Sequence, residues 1–151
     1  MITVKDILEK KRKAFNITSP DMLVIDALTM LNSVDLSYLI VMDGNEYKGI
    51  FSERDYSRNV ILKGRSSRTT TVKEVMTRDL PIVHLEDTAE YCMNTMITFK
   101  TRYLLAYHEN QFAGVVTIHD LLRQVIGNRE MIFDQSLAEK LLKQNEGEKI
   151  F

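Results

Sequence analysis

The sequence predicts an α/β fold of the mixed α+β kind: two tandem β-α-β-β-α units followed by a C-terminal amphipathic helix. Three observations carry this. An internal repeat spans most of the chain, since shifting by 65 residues lays GIFSERD (Gly49 to Asp55) over GVVTIHD (Gly114 to Asp120) and YLIV (Tyr38 to Val41) over YLLA (Tyr103 to Ala106). Within each copy, short apolar runs bounded by turn residues alternate with capped helical periodicity. Beyond 128, Phe133, Leu137 and Leu141 recur at helical spacing among Glu, Asp, Gln and Lys.

In each half the order begins with a short amphipathic helix, Val4 to Lys11 and, at an offset of 68, Val72 to Met76. A brief strand follows, near Ile17 and over Ile82 to His84. The next helix is capped by Ser19 or Asp21 in the first half and by Asp87 or Thr88 in the second. Its inward positions are Val24, Ala27, Leu28 and Leu31, then Cys92, Met93 and Met96. Two strands come next, Leu39 to Met42 and Lys48 to Phe51, joined by Asp43-Gly44-Asn45, whose Gly and Asn tolerate positive φ. His108-Glu109-Asn110 holds the matching turn. A last helix starts at Glu53 and at Ile118, with Ser52 and Thr117 as N-caps. The domains are therefore 1–62 and 72–127, a polar stretch 63–71 (KGRSSRTTT) that reads as a solvated linker, and a tail 128–151 whose apolar stripe packs either on its own domain or on another subunit.

Composition removes several function classes. Lys plus Arg number 20 against 21 Asp plus Glu, a net charge of −1, too balanced for a protein whose main work is gripping nucleic-acid phosphates. Single-stranded RNA binding is disfavoured on the same ground. A lone cysteine, Cys92, makes no internal disulfide and no Cys-rich zinc site, which fits a reducing compartment. No run reaches the roughly 18–20 apolar residues of a membrane span, and the first fifteen residues lack a secretory apolar core. The expected location is the cytoplasm, with no membrane association. No Ser or Cys nucleophile sits in an elbow motif, and His84, His108 and His119 are not at helix-borne metal spacing, so neither an enzyme nor a metal site is expected.

Two β-α-β-β-α units, each closing on G-h-h-[ST]-x-x-D at a strand-to-helix junction, resemble a pair of CBS domains, a Bateman module. The likeness runs from about Val4 to Gly127, and GIFSERDYSRNVILKGRSSRTTTVKEVMT is similar to the small stand-alone bacterial CBS-pair proteins and their plant organellar relatives. The resemblance implies a non-catalytic regulatory or signal-transduction module with pseudo-twofold symmetry between its repeats, usually a homodimer. It also implies two related clefts between the repeats for an adenosine nucleotide such as AMP, ATP or NAD, the only cofactor-like ligand expected. It assigns the ribose to Asp55 and Asp120 with Ser52 and Thr117 beside it. Phosphates fall to Arg54, Arg58, Lys63 and Arg65, with Arg102 kept from the second-repeat pattern; apart from the resemblance, the matching strand positions Tyr38 and Tyr103, with Ile50 and Val115, are candidates for adenine. The regulated protein partner is not implied. Departures border the clefts: Tyr103 to Ala106 replaces a His-Leu-Pro-Val pattern, His119 stands where a small residue is common, and Ser37-Tyr38 replaces a Gly-Ala-like pair. The two clefts are thus expected to differ. The alternative is a dimeric scaffold or adaptor with vestigial clefts.

Physical chemistry supports the assignment while leaving a second reading open at each residue. A carboxylate has two acceptor oxygens, so an Asp at a strand end takes both hydroxyls of a cis-diol, which ribose supplies. A helix start adds free N–H groups that favour anions near Ser52 and Thr117. The same Asp, third after the cap, is equally the acidic partner of a capping box. Arg54 and Arg58 share a helix face, either toward phosphate or toward solvent. Tyr38 and Tyr103 suit adenine or packing, and Cys92 reads as a small buried hydrophobe.

Overall fold

Every pairing in the first sheet recurs 65 residues later in the second. The computed structural model describes residues 1–11, 16–34, 36–127, 140–141 and 143. One sheet has the order β1 (Ile17–Thr18), β2 (Tyr38–Asp43), β3 (Glu46–Ser52); the other has β4 (Ile82–His84), β5 (Tyr103–His108), β6 (Gln111–Thr117). The first two strands of each are parallel and the last two antiparallel. Ile17 opposite Ile40 answers Ile82 opposite Leu105, and Tyr38 opposite Ser52 answers Tyr103 opposite Thr117. Even the bulge recurs, between Val41 and Met42 and between Ala106 and Tyr107. The tight turns differ in chemistry: Gly44 takes φ 62° in the first, whereas Glu109 and Asn110 take φ 48° and 65° in the second.

The helices are α1 (Val4–Lys10), α2 (Val24–Val34), α3 (Glu53–Asp55) continued by a π-helical turn over Tyr56–Ile61, α4 (Val72–Val75), α5 (Ala89–Phe99) and α6 (Ile118–Gly127). Thr88 caps α5 by accepting the Tyr91 N–H at 3.0 Å. At α2 the expected caps are not used. The helix begins at Val24, beyond Ser19 and Asp21, and its first N–H groups donate to linker carbonyls, Val24 to Thr70 at 2.8 Å and Ile25 to Ser67 at 2.9 Å. The stretch 63–71 is exposed over most of its length, as in a solvated linker, but its end docks. Thr70 is buried, and the segment satisfies donors that a side-chain cap would otherwise serve.

The packing units do not follow the order of the repeats. One unit consists of the N-terminal segment with α1 and the described residues from Leu80 onward; the other consists of the intervening described residues through Asp79. Each leading helix thus sits with the sheet of the other repeat. The reason is backbone pairing. Val4 N–H donates to Asp87 and Lys5 N–H to Leu85, with Thr3 bridged to Thr88. In the other unit Val72 N–H donates to Met22 and Lys73 N–H to Pro20, with Thr71 bridged to Leu23.

Two apolar cores result. The unit with α1 buries Val4 and Ile7 together with Val83, Cys92, Met93, Met96, Leu104, Val116 and Leu121. The other buries Val24, Ala27, Leu31, Leu39, Phe51, Val60, Val72 and Val75. The inward positions read from periodicity are among them, with Leu28 partly buried. In the tail, Phe133 and Leu137 lie outside the described residues, but Leu141 is fully buried in the core of the α1 unit.

Candidate functional site

The candidate site starts from a glycine. Gly49 lies on β3 directly under the chain that leaves α4, and a Cβ there would stand 2.7 Å from Met76 Sδ and 2.9 Å from the Thr77 carbonyl. Only glycine lets that segment lie on the strand, where Ile50 and Thr77 exchange backbone hydrogen bonds of 2.9 and 2.8 Å. Gly114 plays the same part on β6, beneath Leu8 of α1, and its φ of 157° also suits glycine.

Three residues on, each strand turns into a helix through a capping box. Asp55 N–H donates to Ser52 Oγ at 3.3 Å, while Asp55 Oδ2 accepts the Ser52 N–H at 2.8 Å and the Ser52 hydroxyl at 3.0 Å. In the second repeat Asp120 N–H donates to Thr117 Oγ1 at 3.1 Å and Asp120 Oδ2 accepts the Thr117 N–H at 2.9 Å. All four residues are buried. The capping reading of both aspartates is therefore realised, and the remaining acceptor capacity of each carboxylate decides what else it can do.

That capacity is met differently in the two repeats. Asp55 Oδ1 accepts the Thr77 hydroxyl at 2.6 Å, a neutral donor from the segment after α4. Burial raises the Asp55 carboxyl above its ordinary value, opposed by the hydrogen bonds from Thr77 and Ser52. Asp120 faces two cations. Lys11, at the end of α1, places Nζ 2.9 Å from Oδ2, and Arg123, one turn along α6, places Nη2 2.6 Å from Oδ1.

The sequence profile of the CBS domain matches residues 4–61 and again 72–127. The chain belongs to the CBS-domain family. It is 28% identical over 133 residues to the mitochondrial CBS domain-containing protein CBSX3 of Arabidopsis thaliana, covering 82% of this chain and 65% of that relative. The chain thus spans about 65% of that relative's length. A solved signal-transduction protein with CBS domains from Burkholderia ambifaria, so described provisionally, is 31% identical with a TM-score of 0.76, over 87% of this chain and 99% of that one. The crystal structure of CBSX2 in complex with AMP has the same fold, with TM-score 0.68 at 20% identity over 84% and 98% of the two chains.

Around the CBS motifs, the other expected site residues fall in distinct settings. Arg54 is half-buried, and Arg58, Lys63 and Arg65 are exposed. Arg65 is drawn back onto its own helix end, with Nη1 donating to the Asn59 carbonyl at 2.8 Å and its N–H to Val60 at 2.9 Å. Arg102 is half-buried and its carbonyl receives the Ile118 N–H at 2.9 Å, fixing the start of α6. Tyr38 is buried and Tyr103 half-buried; Ile50 and Val115 are buried on β3 and β6. His119 is exposed. Among the described residues no group of His, Cys, Asp and Glu is arranged to hold a metal ion, and no helix is long and apolar enough to cross a membrane.

Sequence reasoning missed Thr77, Lys11 and Arg123. A signal existed for one of them. Arg123 stands three residues after Asp120 on a helix, within reach by spacing alone.

Proposed function

We propose that the chain is a non-catalytic sensor module that binds an adenosine nucleotide, AMP, ATP, NAD or a related compound, and acts through a ligand-dependent change in shape or partner binding. The observation that carries this reading is the Asp55 carboxylate. It is buried at a strand end, held by its cap, and has one oxygen that accepts a rotatable hydroxyl, that of Thr77. A ribose hydroxyl can replace the Thr77 hydroxyl like for like. Asp120 repeats the position, with Ser52 and Thr117 bordering the sugar. Arg54, Arg58, Lys63 and Arg102 supply positive charge for phosphate, whereas the bond of Arg65 to its helix end favours a positioning part. Tyr103, Ile50 and Val115 offer apolar surface toward adenine, while burial of Tyr38 favours packing. The CBSX2 complex with AMP, a protein of the same fold, supports the ligand class.

A binding rather than chemical part also suits Cys92, whose thiol burial pushes up to about 12, far from a thiolate nucleophile. A buried lone thiol fits the reducing cytoplasm, where we place the protein. Exposed Tyr91 and Phe99 on α5 and Ile126 on α6 favour a homodimer, and light scattering should return twice the 17.5 kDa of one chain. One observation favours the second reading, a dimeric scaffold with vestigial sites: both motif carboxylates already have donors from their own chain.

Calorimetry separates the two. 2′-Deoxy-AMP lacks one donor for the motif carboxylate, a loss of about 1.5–3 kcal/mol, or roughly 10- to 150-fold in affinity. Asp55→Asn is expected to weaken AMP and remove the discrimination. Equal binding of AMP and its deoxy form, with Asp55→Asn like the parent, assigns the aspartate to capping alone.

A further inference from the structure

We propose that Lys11 is the built-in occupant of the second CBS motif, so that the chain takes one adenosine nucleotide, at Asp55, while Asp120 is closed to ribose. The proposal rests on the adenosine reading above and adds to it which motif is open and which residue decides.

The argument is the identity and placement of the donors. Lys11 Nζ bridges two acceptors, Asp120 Oδ2 at 2.9 Å and the Val115 carbonyl at 2.7 Å. At the matching place in the first repeat the Ile50 carbonyl is taken by the Thr77 N–H and the Asp55 carboxylate by the Thr77 hydroxyl. Thr77 thus covers the strand carbonyl and the motif carboxylate with a backbone N–H and a hydroxyl, on the non-cap oxygen, where Lys11 covers both with one ammonium, on the cap oxygen. The exchange is not neutral for a ligand. A sugar hydroxyl displacing the Thr77 hydroxyl trades one neutral donor for another. A sugar hydroxyl displacing Lys11 must separate an ion pair in which the carboxylate side chain is 2% exposed and the lysine 24%. Arg123 holds Oδ1, the oxygen that matches the Thr77-held Oδ1 of Asp55, at 2.6 Å; its side chain is 67% exposed and can swing into water, whereas a cis-diol that takes both oxygens must also displace Lys11 from Oδ2.

Titration calorimetry of the full chain with AMP tests this. The parent should bind one AMP per chain, and Lys11→Met, which keeps the apolar stem and removes the charge, should bind two. Lys11→Arg, which keeps a cation in place, should stay at one. Asp55→Asn should weaken the parent's one site and leave Lys11→Met with one site at unchanged affinity. Two AMP per parent chain, or one per chain in Lys11→Met when circular dichroism shows it folded, overturns the proposal and leaves the nucleotide reading standing. No AMP bound by the parent or by Lys11→Met, and no ATP or NAD in its place, overturns the nucleotide reading, and the proposal with it.

Discussion

The two CBS motifs share backbone, register and cap, yet hold their aspartates in different settings, with Arg54 near the first and two ion-pairing cations on the second. Asp55 is a buried carboxylate among hydroxyls and N–H groups; Asp120 is the centre of a triad with Lys11 and Arg123. The difference comes from outside the seven-residue motif. Thr77, just past α4, supplies the donor in one unit, and Lys11, at the end of α1, supplies it in the other. A repeat can thus reproduce a scaffold faithfully while the neighbour laid across it rewrites the charge.

The largest expected effect separates the units by their cores. Leu141 is fully buried in the α1 unit alone, so Leu141→Ala should cost about 2–5 kcal/mol. Hydrogen exchange should show the loss of protection in β4, β5 and β6 while β2 and β3 keep theirs. Equal loss in both sheets would break the comparison.

Next in size are the aspartates. Asp120→Asn leaves the partly buried Lys11 without its carboxylate and should cost about 1.5–3 kcal/mol in urea unfolding, mostly through Lys11, because the pairing of exposed Arg123 is screened by water. Asp55→Asn keeps an acceptor for the Ser52 donors and removes a buried charge, so its cost should stay under about 1 kcal/mol. Matching losses would show that the cations add nothing to the second motif.

The smallest effect is in pH. Burial raises the Asp55 carboxyl in the folded chain above the ordinary 3.8. Its contribution to stability is therefore fully present below 3.8 and is lost as pH rises through the folded-state value. Nucleotide affinity runs the other way, since protonation turns an acceptor oxygen into a donor. AMP binding at the first motif should weaken on acidification before an ordinary aspartate would titrate. Asp55→Asn should flatten both trends, and an acid limb unchanged in that variant would assign it to another group.

Much of this was legible in the chain itself. The repeat at 65, the capping boxes at Ser52 and Thr117, and the inward faces of α2 and α5 follow from local spacing, because helices and strands bury fixed periods. The exchange of leading helices was not, since VKDIL and VKEVM read alike and nothing local says which sheet each will join. The donors to Asp55 and Asp120 escaped for the same reason. Thr77 and Lys11 reach them through tertiary pairing rather than sequence neighbourhood. The docked linker also ran against local polarity: KGRSSRTTT is hydrophilic, but its backbone carbonyls met the unsatisfied start of α2.

The helix exchange makes one unit an insertion within the other. The first-repeat unit is a single uninterrupted stretch ending at Asp79, whereas its neighbour is assembled from both sides of it. During synthesis the inserted stretch has all its parts before the second sheet exists, and α1, made ahead of that stretch, must wait for its sheet. Lys11 travels with α1. Until the second repeat is made, the lysine that will close Asp120 has no carboxylate to meet.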